Sequence, residues 1–153
     1  MKLLDVLLSE DLWFPSATAV ALIAVSGLIV RYRSRGISRM TMLVCGLNLF
    51  YGVLIGIMGF GHLLGITIKM IMGTLSVSTS RWFVYPLGFA LFIPAWWLVG
   101  SVNELSKNRR GVWNRAIALN ACLGAVLLPL AGPLAVPAAA NVILLMWRQP
   151  ARG

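Results

Sequence analysis

The stretch 41-TMLVCGLNLFYGVLIGIMGFGHLLGI-66 decides the fold class of this chain. Its 26 residues include no Asp, Glu, Lys or Arg, and the sequence stays largely apolar as far as Lys69. As an α-helix at about 1.5 Å per residue it is about 39 Å long, which exceeds the ~30 Å hydrocarbon core of a bilayer. The pattern therefore predicts a membrane-crossing helix that tilts or protrudes.

The rest of the chain has the same character. Hydrophobic residues make up 59% of its 153 residues and charged residues 11%, and a soluble domain of this size has too little interior for so much apolar surface. We predict a single all-α domain over residues 1–153, a polytopic integral membrane helix bundle with four to five transmembrane helices. The expected spans are 14–30, 41–66, 82–102, 113–131 and 133–147.

The last apolar region, 113–147, is too long for one straight crossing. It contains 129-PLAGPLAVP-137, whose three prolines would leave several backbone groups without partners in a continuous helix, at a cost that is high in lipid. We therefore expect this region to be broken. A turn at the break gives five crossings, and a kink gives four.

The distribution of basic residues favours five crossings. With five spans, ten of the thirteen Lys and Arg residues share one side, whereas with four spans eight do. Because cytoplasmic loops carry an excess of Lys and Arg, we expect the amino terminus outside and the carboxyl terminus inside, in the inner membrane of a bacterium. The ten residues are Arg31, Arg33, Arg35, Arg39, Lys107, Arg109, Arg110, Arg115, Arg148 and Arg152.

The net charge of +9 is interpreted as topology and contact with anionic lipids, because the basic residues flank apolar segments. It does not indicate nucleic-acid binding, since no basic face interleaved with exposed aromatic residues lies outside the spans. The residues predicted to contact lipid headgroups are Arg31, Arg33, Arg35, Arg109 and Arg110.

The sequence contains few side chains that could act as a general acid or base. No Asp or Glu lies inside an apolar span, and the only acidic residue after Asp11 is Glu104. Most intramembrane hydrolases and proton-coupled carriers need buried carboxylates or histidines, so we expect no enzymatic activity and no cofactor. Cys45 and Cys122 both lie in apolar segments, which indicates packing residues rather than a disulfide framework.

Small and polar residues form one stripe of the second span at spacings of three and four. Pairs such as Gly52 and Gly56 let helix backbones approach closely in lipid. Such a face packs within the bundle, packs against another chain, or lines a cavity, and all three interpretations remain open. The helix-packing residues of the stripe are Cys45, Asn48, Gly52, Gly56 and Gly59.

Three functions are compatible with these observations. The first is a non-catalytic membrane subunit that acts through helix packing, in a homo-oligomer or with other membrane subunits. The second is a small channel or carrier whose pathway runs along the second span and the broken last segment. The third is binding of a metal, haem or pigment through the single histidine, with the metal itself undetermined. The possible ligand or pore residues are His62, Met58, Asn120 and Asn141.

Overall fold

The computed structural model describes residues 10–72, 84–107, 110–131 and 135–147. These ranges fold into helices and contain no strand, so the all-α prediction is confirmed. The helices are α1 (Glu10–Ser34), α2 (Arg39–Ile71), α3 (Val84–Ser106), α4 (Arg110–Ala131) and α5 (Ala135–Trp147). Residues 1–9, 73–83, 108–109, 132–134 and 148–153 lie outside the described residues.

Two helices are long and apolar enough to cross a membrane: the segment Trp13–Ser34 of α1 and the segment Arg39–Ile68 of α2. α2 has 33 residues, so it is about 50 Å long and exceeds the thickness of a hydrocarbon core. α5 is also apolar but has only 13 residues. α1 begins four residues before the expected span and contains Pro15 in its second turn.

A tight turn joins α1 to α2. Gly36 has a φ of 67°, a left-handed conformation that glycine adopts without steric cost. The amide of Gly36 donates to the carbonyl of Arg33, and the amide of Ile37 donates to that of Tyr32, which together form a Schellman motif. Ser38 then caps α2 by accepting a hydrogen bond from the amide of Thr41. The turn therefore sends α2 back along α1.

Contacts along α1 and α2 confirm that the two helices run antiparallel. Val25 lies 3.5 Å from the position of a Cβ on Gly46, near the turn. At the far end of the pair, the indole of Trp13 covers Gly61 so closely that a Cβ there would come within 2.6 Å of the ring. α1 is otherwise exposed, since 11% of its apolar window is buried, against 50% for α2. α2 is thus the central helix and α1 lies at the edge.

The last apolar region forms a hairpin. Asn120 of α4 contacts Asn141 of α5, and a Cβ on Gly124 would lie 3.5 Å from that of Ala138. These two pairs converge in sequence toward the break at 132–134, so α5 runs antiparallel to α4. The described parts of this region are therefore two antiparallel helices, and the predicted break falls between them.

One core cluster joins all five helices at the end of the bundle that carries the α1–α2 turn. It brings together the end of α1, the start of α2, the end of α3, the start of α4 and the end of α5, so consecutive helices alternate in direction. A second cluster lies further along α2 to α5. The buried residues of the first are Tyr32, Val44, Cys45, Val102, Leu105, Trp113, Ala116 and Leu145, and those of the second are Tyr51, Ile55, Ala95, Leu98, Leu123, Ala135 and Ala138.

Candidate functional site

Three buried asparagines form the polar centre of the bundle. Asn48 of α2, Asn120 of α4 and Asn141 of α5 are each at most 1% exposed. The Nδ2 of Asn120 donates to Oδ1 of Asn48 at 3.0 Å, and the Nδ2 of Asn141 donates to Oδ1 of Asn120 at 3.2 Å. These contacts make a chain of amide hydrogen bonds that joins the α4–α5 hairpin to α2.

The amide chain has a direction. Nδ2 of Asn48 donates to the carbonyl of Val44 at 3.0 Å, and Nδ2 of Asn120 also donates to the carbonyl of Ala116 at 2.8 Å. Each donor therefore points to the next asparagine on the α2 side or back along its own helix. At the opposite end, Oδ1 of Asn141 is buried and accepts no hydrogen bond from the described part of the chain. At the α2 end, both the Nδ2 and the Oδ1 of Asn48 are thus hydrogen-bonded, whereas at the α5 end the Oδ1 of Asn141 has no described donor.

A second polar contact ties α1, α2 and α3 together near the turn. The carbonyl of Val102 accepts hydrogen bonds from the hydroxyl of Tyr32 at 3.3 Å and from the thiol of Cys45 at 3.6 Å. A carbonyl oxygen has two lone pairs and can accept both. This single backbone oxygen of α3 therefore fixes the other two helices at that end of the bundle.

The predicted packing stripe of α2 faces α3 of the same chain at its glycines. A Cβ on Gly52 would lie 2.9 Å from Cγ2 of Val99 and 3.0 Å from the carbonyl oxygen of Ala95. A Cβ on Gly56 would lie 3.5 Å from that of Ala95, an ordinary contact. Cys45, Asn48 and Gly59 are buried as well. Close approach of α2 and α3 therefore requires glycine at position 52 but tolerates a side chain at position 56.

The other predicted site residues are placed in three ways. Asn120 and Asn141 come together in the amide chain, whereas His62 is exposed on α2 and Met58 is half-buried one turn earlier. Within the described ranges, no three His, Cys, Asp or Glu side chains are grouped so that they could hold a metal ion.

The lipid-headgroup residues Arg31, Arg33 and Arg35 are exposed near the end of α1. Arg109 lies outside the described residues, and of Arg110 only the backbone is described.

The sequence analysis did not predict that the three asparagines contact one another. A signal was present, because Asn48, Asn120 and Asn141 are the only carboxamide side chains well inside apolar segments. Amides at such depth need partners, and the available partners are each other. Trp96 is 74% exposed near the middle of α3.

Trp96 stands at a groove of about 320 Å³ between α2 and α3. Gly52, Gly56 and Ala95 also line this groove, which we call the α2–α3 groove. Phe60 and Phe92 contribute aromatic side chains to its walls. Gly52 and Gly56, which pack on α3, therefore also line an apolar groove on the outer surface.

No family model, no curated protein and no solved structure matches this chain. Its function has to follow from the placement of its own side chains. The features that bear on function are the buried amide chain, the glycine contact and the apolar outer surface.

Replacing Asn120 with alanine should destabilise the bundle by about 1–3 kcal/mol, because Oδ1 of Asn48 and Nδ2 of Asn141 would both lose a buried partner. The free energy of unfolding, measured by denaturing-detergent titration in mixed micelles, tests this. Asn103→Ala, at an exposed position of α3, is the matched control. Equal stability of the two variants would show that the amide chain contributes nothing.

Gly52→Ala should lower the free energy of unfolding by about 1–3 kcal/mol, because its methyl group would overlap backbone and side-chain atoms of α3. Gly56→Ala should be tolerated, and Gly100→Ala, which meets no atom within 4 Å, serves as the control for the change in helix propensity. The same titration measures all three. If Gly56→Ala proves as damaging as Gly52→Ala, α2 and α3 do not pack in this register.

Proposed function

We propose that this chain is an integral membrane protein with five crossings that serves as a non-catalytic subunit and acts by packing against another membrane protein chain. The proposal combines three inferences: a membrane location, an orientation and a partner-binding face. The single observation that carries the subunit function is Trp96, exposed in the middle of α3 beside the α2–α3 groove.

The membrane location is supported by an apolar exterior around a core that contains buried asparagines. A soluble protein buries its large apolar side chains and exposes its amides. Here the buried side chains include three asparagines, and large apolar side chains on every helix are more than 60% exposed. Lipid tails solvate such a surface, whereas water does not. Examples are Ile23, Val30, Ile71, Ile93, Leu128, Val136, Ile143 and Met146.

The orientation follows from the basic end of the bundle. The α1–α2 turn and the end of α3 share a core cluster with the end of α5. The described cations at this end are Arg31, Arg33, Arg35, Arg39, Lys107 and Arg115. We propose that this end faces the cytoplasm, as the excess of Lys and Arg requires. The end of α5, and with it the carboxyl terminus, then lies on the cytoplasmic side.

The partner-binding face is inferred from the depth of Trp96. This residue is ten positions from the end of α3, or about 15 Å, which places it near mid-membrane rather than at an interface. Tryptophan prefers the membrane interface, where its N–H finds an acceptor that lipid tails lack. A partner helix lying in the α2–α3 groove would cover the indole, and Gly56 allows that helix to approach closely.

A packing role agrees better with the interior than a transport pathway does. The backbone at Gly52 is covered by α3, and the asparagine amides bond to one another rather than facing a channel. The described carboxylate near the basic end, Glu104, pairs with Lys107 at 2.8 Å, at the end of α3 rather than within the bundle. The described interior thus offers contacts between helices in place of a polar route.

Trp96→Leu should weaken association with the partner chain by about fivefold or more, since a buried aromatic anchor at an interface commonly contributes over 1 kcal/mol. The partner is captured by in-membrane photocross-linking from position 92 and quantified by mass spectrometry. Trp147→Leu, 76% exposed at the end of α5, is the matched control. Gly56→Leu, which fills the groove, should reduce cross-linking as well.

Three results would overturn the proposed subunit function. The first is a chain that remains monomeric in its native membrane, with no cross-linked species. The second is cross-linking that Trp96→Leu and Trp147→Leu reduce equally. The third is cross-linking that Gly56→Leu leaves unchanged.

Topology reporters test the five crossings. A fluorescent protein fused after Gly153 and one inserted at Gly36 should both be fluorescent in the cytoplasm, whereas a periplasmic phosphatase should be active at the amino terminus and inactive at those two positions. Four crossings would instead place the reporters at positions 36 and 153 on opposite sides, which would contradict the proposed orientation.

A further inference from the structure

A separate groove of about 390 Å³ runs along the surface between α1 and α2. Its lining is apolar from Phe50 to Met42, and Arg39 lines its end at the α1–α2 turn. Arg39 and Phe50 are eleven residues apart on one helix, so the groove is about 16 Å long. That length matches one leaflet of a ~30 Å hydrocarbon core.

Positive charge is concentrated at one end of this α1–α2 groove. Arg39 is exposed there, and the exposed Arg31, Arg33 and Arg35 belong to the same turn. Among the described residues, the carboxylate near this end, Glu104, is engaged by Lys107. A guanidinium group binds a phosphate through two parallel hydrogen bonds, and none of the four arginines makes a described ion pair.

We infer that the α1–α2 groove holds one acyl chain of an anionic phospholipid from the cytoplasmic leaflet, with the lipid phosphate bound by Arg39. This inference rests on the proposed membrane location and orientation. The apolar walls accommodate the hydrocarbon chain, and the arginine lies where the headgroup of a cytoplasmic-leaflet lipid would be.

Charge complementarity favours a lipid over a second protein helix. A neighbouring membrane helix carries its own Lys and Arg at its cytoplasmic end, so it would bring like charge to Arg39. A phospholipid brings a phosphate of opposite charge to the same position. Each basic residue near an anionic headgroup contributes about 1 kcal/mol, which corresponds to a change in affinity of about fivefold.

The test measures lipid retention by the purified full-length protein. Delipidated protein in a mild detergent is offered an anionic phosphatidylglycerol and a zwitterionic phosphatidylcholine with identical acyl chains, and bound lipid is read by native mass spectrometry. We expect preferential retention of phosphatidylglycerol. Arg39→Gln should lower that retention about fivefold, and Arg115→Gln, at an exposed position of α4, should not.

Filling the groove tests the acyl-chain part of the inference. Leu43 lines the groove and is 47% exposed, so Leu43→Trp should reduce retention of both lipids. Leu64, 39% exposed on the same helix but outside the groove, gives Leu64→Trp as the control. If Arg39→Gln does not fold, the salt dependence of wild-type retention replaces it: retention that falls with added salt supports the site.

Equal retention of the two lipids, salt-independent retention, or matching effects of each variant and its control would overturn the inference. So would a protein dimer whose formation Leu43→Trp abolishes while lipid retention is unchanged. Extraction of native membranes with alkaline carbonate separates the two proposals. If the protein stays in the membrane but shows no lipid preference, only the lipid site is contradicted. If carbonate releases the protein, the membrane location is contradicted as well.

Discussion

The hydrogen bonds between Asn48, Asn120 and Asn141 constrain the rest of the bundle. In the lipid environment that we propose, shape alone discriminates poorly between the possible positions of a hairpin, because apolar side chains gain little by leaving lipid tails for one another. An amide without a partner costs far more than a misplaced leucine. The α4–α5 hairpin is therefore held where its two asparagines reach Asn48, with Trp113 and Leu145 packing beside α2 and α3 as a consequence.

The bundle is thus built from two packing modes. α1, α2 and α3 meet through small residues, and a Cβ on Gly52 would lie 3.0 Å from the backbone carbonyl oxygen of Ala95. The hairpin meets that layer mainly through its amides and the cluster near the α1–α2 turn. Small-residue packing is specific because few residues fit, and amide packing is specific because few partners exist. Neither mode requires a residue capable of acid–base chemistry, which agrees with the scarcity of carboxylates.

The helices and the break in the last apolar region were predictable because each depends on local sequence. Apolar length marks the spans, and the prolines between 129 and 137 mark the turn. Periodicity also showed that Cys45, Asn48 and Gly52 share one face. It could not show that α3 covers that face, because which helix packs there depends on the shape of both helix surfaces and on the angle between the two helix axes. The exposure of Trp96 depends on the same long-range arrangement, so it could not be read from periodicity either.

The turn between α1 and α2 also bears on how the protein is made. A Schellman motif followed directly by the Ser38 cap makes the connection between the two helices short. Moving the turn across a bilayer would carry its arginines through hydrocarbon, at a cost of several kcal/mol for each. In the topology proposed above, the two helices would enter the membrane together as a pair, and the arginines of the turn would remain on the cytoplasmic side. The edge helix α1 would then be aligned with α2 before the α4–α5 hairpin is translated.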